Sequence, residues 1–149
     1  SAGFVMKAFW TGMSLSLAGL LWLASAAVCF AQWLPVGRDA NGDEILYKVE
    51  RRIDHRVEVW GKRIFSEDGA KEFLQDSRAN GLDTEGWNKP GHFTSFYEID
   101  CRKNLSRVLS VVIYAADGRV VYSASFGNPG WTAIAAGSLG AIFREKVCP

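Results

Sequence analysis

Three cysteines, two histidines and the carboxylates near them are the side chains of this 149-residue chain whose types could carry chemistry beyond binding. Structural or catalytic zinc asks for closely paired ligands, and His55, His92, Cys101 and Cys148 lack that spacing, so no metal site is expected. His55 sits among Arg51, Arg52, Asp54 and Arg56, the setting of a solvated turn residue, and His92 follows Gly91 just ahead of a strand-like run. Ser138 lies in Ala136-Gly137-Ser138-Leu139-Gly140, which invites comparison with a nucleophile elbow. The glycine required two residues earlier is Ala136, however, and the alternating strand-helix context is missing. Asp100 has no second carboxylate at a useful spacing, and neither a phosphate loop nor a dinucleotide fingerprint occurs. The expectation is a protein with no catalytic residues, that is, not an enzyme.

The cysteines make more sense as a frame. Residues 1–31 read as a short cloning scar followed by a signal peptide: Met6-Lys7, an apolar run from Leu15 to Phe30, and Ala31 before Gln32. An N-terminal membrane anchor is the rival reading, since Ala8 to Val36 carries no charge and is long enough to span a bilayer. Cleavage after Ala31 removes Cys29 and leaves Cys101 and Cys148, an even pair that reads as a disulfide in an oxidising compartment. It also removes Lys7, taking the formal charge of +1 to neutral. A neutral chain argues against nucleic-acid binding. What remains, residues 32–149, is enough for one small core.

The elements that would position these residues alternate in the manner of strands. In Phe93 to Arg102, the residues Phe93, Ser95, Tyr97, Ile99 and Cys101 share one face, and Thr94, Phe96, Glu98, Asp100 and Arg102 the other. Leu105 to Tyr114 is apolar on both sides, and Asp117-Gly118 then makes a hairpin into Arg119 to Phe126. Upstream, Trp33 to Gly37 suits an edge strand because Pro35 has no ladder N–H. Glu44 to Glu50 and Val57 to Phe65 are the next two strands, the latter bent at Gly61, with Arg51 to Arg56 as a polar connection. Ser138 is a helix N-cap, and Leu139, Ile142, Phe143 and Val147 make an apolar stripe at helical spacing. So short a helix is marginal alone. It therefore needs the sheet and the bridge, which closes a loop worth roughly 4 kcal/mol.

Asp100-Cys101, the strand ending in Tyr114, the Asp117-Gly118 hairpin, then Trp131, Gly137-Ser138 and Cys148 resemble the surface-adhesin protein E family of bacterial envelope proteins. Trp33 to Gly37, the Asn41-Gly42 turn, Leu46-Tyr47, Ile53 and Val57 to Trp60 are similar to its early strands in order and spacing. The resemblance implies a small antiparallel sheet with a C-terminal helix tethered by the cysteine bridge. It also implies envelope location and, as its best-known members do, binding of host matrix proteins or haem.

The expected fold is mainly β (α+β): an antiparallel meander of about six strands, with a C-terminal helix packed on one face and tethered by a Cys101–Cys148 disulfide. Ser66 to His92, with Gly69, Gly81, Gly86 and Gly91, reads as a long loop in which Ala70 to Arg78 makes one or two helical turns. Such a loop either finishes the core with Phe73, Leu74 and Trp87 or serves recognition. In the second case Phe73, Leu74, Trp87 and His92 are the partner-binding residues, Trp87 being an aromatic anchor displayed on a mobile backbone. The functional expectation is a non-catalytic exported binding protein, in the periplasm or at the cell surface, whose sheet face or Ser66 to His92 loop contacts a protein or a small apolar ligand; Trp33, Trp60 and Trp131 are expected as core or rim residues. Haem is the one cofactor in view, without a ligand motif to support it. A periplasmic inhibitor of an envelope-directed enzyme such as lysozyme, or a structural envelope component, is the alternative.

Overall fold

The computed structural model describes residues 32–149; the expected signal or anchor segment lies outside the described residues. Strands β1 (Leu34–Arg38), β2 (Glu44–Ile53) and β3 (Arg56–Ile64) are followed by helix α1 (Glu67–Ala79). Then come β4 (Pro90–Asp100), β5 (Leu105–Ala115), β6 (Val120–Ser125), a two-residue β7 (Thr132–Ala133) and helix α2 (Leu139–Val147). The six longer strands pair antiparallel in chain order, and β7 extends the β6 side of the sheet by pairing with β5. This is the expected meander with its C-terminal helix and its Cys101–Cys148 disulfide, Cα to Cα 5.6 Å.

Alternation decides which face is buried. Ile45, Val57, Val59 and Ile99 point to one side of the sheet, where Phe143 and Val147 of α2 complete the core. Leu139 and Ile142 from the same helical stripe pack at its margin. At Gly61 the ladder of β3 runs without a register shift towards either neighbour. The glycine makes room, since a Cβ built there would stand 2.4 Å from the Phe143 ring. Ser138 caps α2 as its position suggests, its hydroxyl accepting the Ala141 N–H at 3.2 Å and donating to the Ala135 carbonyl at 2.6 Å.

The region from Ser66 to His92 is not the long loop its glycines suggest. Ser66 is an N-cap whose hydroxyl accepts from Gly69 N at 3.0 Å, and Glu67 and Asp68 in the first turn suit the helix dipole. The result is a 13-residue helix. Its start is fixed by Asp43, fully buried, which accepts from Ser66 N and from Arg63 Nε, each at 2.7 Å. Gly69 is required there because any Cβ would lie 1.9 Å from Asp43 Oδ1. Under α1, Phe73 stacks on Phe93 and tilts against Phe65, on the sheet face that α2 also covers. Trp87 is a second correction: at 3 % exposure, with its ring 6.3 Å from Tyr122, it finishes the core instead of being displayed. His92 is likewise no loop residue, since β4 already begins at Pro90.

At the disulfide end two turns are tied together. Cys101 N donates to the His55 carbonyl at 2.9 Å, and His55 Nε2 stands 3.2 Å from Asp100 Oδ2. Asp100, 2 % exposed, also accepts from the backbone N–H groups of Arg102 and Lys103 at 3.1 and 2.9 Å. Burial pushes its carboxyl up, but the Lys103 N–H, the neighbouring His55 and the Arg102 N–H together outweigh this and hold it below the usual range.

Three outcomes test this frame. Phe143→Ala should cost about 3–5 kcal/mol in chemical denaturation, and Gly61→Ala about 1–3 kcal/mol by overpacking the same ring; two near-neutral variants would place α2 off the sheet. Gly69→Ala should lower the melting temperature, with Asp43→Ala in the same chain relieving part of the loss if the clash is with that carboxylate. Because the folded-state pKa of Asp100 is depressed, its contribution is present above the unfolded value of about 3.9 and is lost as pH falls through the folded value. Melting curves in this acid range should therefore fall more steeply for the native protein than for Asp100→Asn.

Candidate functional site

Both helices lie on one face, so alternation leaves the other face of the sheet to be furnished by every second residue of the strands. Cross-strand register arranges these residues in rows. One row runs Lys48, Trp60, Phe96, Ser110, the next Leu46, Lys62, Thr94, Val112, and a third Ile64, His92, Tyr114. Among the described residues no helix packs on this face, and these side chains are half-buried against one another.

The rows bring aromatic rings and cations together. Trp60 and Phe96 stack with centroids 4.6 Å apart, and His92 stacks on Tyr114 at 4.3 Å. Trp33, just ahead of β1, lies with the Lys48 and Lys62 ammonium groups each 5.6 Å from its ring centre. Partial burial, then the nearby Lys62 charge, hold His92 below the usual histidine range, so the imidazole is neutral at pH 7. Lys62 forms no ion pair among the described residues.

Beyond this patch the same face becomes ionic and self-satisfied. Arg107 Nη2 reaches Glu98 at 2.6 Å, Arg51 reaches Glu58 at 2.5 Å, and Arg56 stands 3.8 Å from Glu98. The Trp131 ring takes Arg107 at 4.5 Å and Arg56 at 5.3 Å. These cations are already matched. The aromatic rows with Lys48 and Lys62 are the part of the face left with binding capacity.

The four residues expected from the sequence to contact a partner do not converge. Phe73 belongs to the aromatic cluster beneath α1, and Leu74 lines a cleft of about 200 Å³ with Ala70, Lys71, Lys89 and Pro90. Trp87 is in the core, and His92 alone stands on the open face. The sequence offered a sheet face as the alternative contact surface, with Trp33 and Trp60 as core or rim residues, but it did not gather them with Phe96, Lys48, Lys62 and Tyr114. The available signal was the pair of large aromatics, Trp60 and Phe96, at strand positions that alternate away from the core.

Ser138 is occupied as a cap, and among the described residues no three potential ligands gather around a metal position. His55 faces Asp100, and His92 is stacked ring on ring with Tyr114. Among the described residues no helix is long and apolar enough to cross a membrane.

Comparison with curated proteins and with solved structures gives no match. The family model for surface-adhesin protein E, by contrast, matches residues 33–149, which spans every strand and helix described above and both bridged cysteines. A family of surface adhesins points to a non-enzymatic protein exported to or displayed at the cell surface, as an uncovered aromatic sheet face would suit. The chain belongs to the surface-adhesin protein E family.

Proposed function

We propose that this protein is a non-catalytic adhesin that engages an extracellular host protein through the open face of its sheet, around Trp33, Lys48, Trp60, Lys62 and Phe96. The observation that carries this reading is the uncovered face itself: stacked aromatics flanked by lysines, one without an ionic partner, on a rigid sheet whose other face is sealed by two helices. Interfaces concentrate binding energy in such aromatic anchors, and the rigid backbone beneath them lowers the entropy lost on docking. Lysines at the rim steer an acidic partner and make the association salt-dependent.

The test is binding of the purified protein to an immobilised basement-membrane extract. Lys62→Glu and Trp60→Ala should each weaken it at least tenfold, the former without change in melting temperature, and rising salt should weaken the native protein. Lys71→Ala, on the helix side, should leave binding as it is. Equal binding by all three variants, or loss only with Lys71→Ala, would remove the open face from the function.

A further inference from the structure

The two edges of the sheet are treated differently. On one side β1 carries Pro35, a bulge between Pro35 and Gly37, and Arg38, three devices that stop a strand from pairing further. The opposite edge, β6, has neither a proline nor a charge, and its one register shift lies at its start, where Tyr122 and Val120 stand opposite Ile113 and Tyr114 and Val121 is passed over. Val120 to Phe126 reads VVYSASF, without a charge, a proline or a glycine. Phe126 N donates to the Leu109 carbonyl at 2.9 Å, and the register continues through Ala124 opposite Val111 and Tyr122 opposite Ile113. By alternation the N–H and C=O groups of Ser123 and Ser125 point away from β5. Among the described residues no strand takes them. At the two ends of this edge, Val120 and Phe126 are 57 % and 47 % exposed.

We infer that the outer edge of β6 accepts an extended, uncharged segment of a partner protein as an added strand. The unpaired backbone groups at Ser123 and Ser125 are recognised by another extended backbone, the chemistry of strand addition. Val120 and Phe126 select apolar side chains at the ends of the incoming segment, where a charge would lose solvation without gaining a partner. A second copy of the chain is the weaker occupant. Six residues of edge cannot by themselves bury the roughly 1,200 Å² of a stable interface, whereas a segment tethered to a partner held elsewhere gains from its effective concentration. This edge is separate from the open face and stands whether or not that face binds.

The experiment is amide hydrogen exchange on the purified, disulfide-bonded protein, alone and with a capped peptide of alternating valine and threonine carrying a terminal lysine for solubility. Alone and dilute, the Ser123 and Ser125 amides should exchange fast while Tyr122 and Ala124 are protected. The peptide should slow Ser123 and Ser125 at least tenfold. Ser123→Pro, which removes an outward N–H and no ladder bond to β5, should abolish that slowing with the fold retained; Ser125→Lys, which leaves the backbone intact, should weaken it at least tenfold. Four results would overturn the inference: slow exchange at Ser123 and Ser125 in the dilute protein, protection that appears with protein concentration alone, peptide effects confined to Lys48 and Trp60, or no effect at millimolar peptide.

Discussion

Everything described here depends on Phe143 entering the space that Gly61 leaves open in β3. A short helix such as α2 does not hold itself together in water. It holds because its ring is inserted at a point where the sheet has no side chain, and because Cys148 at its end is bonded to Cys101 at the end of β4. The two constraints act at different places on the helix, one on its buried stripe and one at its C-terminus. Together they fix both its position and its rotation, and with them the face of the sheet that becomes the core.

Sealing that face has a consequence for the other. Six antiparallel strands expose two surfaces, and two helices are enough for one of them. Proteins commonly give the solvated face of such a sheet small or charged residues. Here the ionic row from Arg51 to Arg107 follows that habit, while Trp33, Trp60, Phe96 and Tyr114 depart from it. Stacking among these rings, and the lysine stems beside Trp33, reduce the apolar area shown to water without hiding it. A surface of this kind is stable alone and still gains from being covered, which is what an adhesin needs.

Helix α1 shows how a polar contact can organise an apolar one. Asp43 is buried and would be costly to leave unpaired. Arg63, Ser66 and the start of α1 satisfy it, and in doing so they aim Phe73 at Phe65 and Phe93. The loop after α1 then brings Trp87 into the core beside Tyr122. A stretch rich in glycine becomes ordered because its ends are held, not because its own composition favours order.

The sequence by itself determined the strand pattern, the Asp117-Gly118 hairpin, the start of α2 after Ser138, the stripe ending in Val147, and the pairing of Cys101 with Cys148. Most of these are local: period-two alternation, turn chemistry and a cap act over a few residues, while the cysteine pairing was read by setting Cys29 aside with the expected signal segment. It did not determine α1, whose Ser66 cap and acidic first turn were outweighed in the reading by four glycines, and whose stability comes from Asp43, far away in the chain. Nor did it decide the site. Trp87 between Gly86 and Asn88 reads either as core or as displayed when only its neighbours are considered, and local sequence does not say which side of the sheet is left to Trp60. Only the tertiary structure decides both, because exposure is set by which face the helices cover, and that choice was made by Phe143 meeting the gap at Gly61.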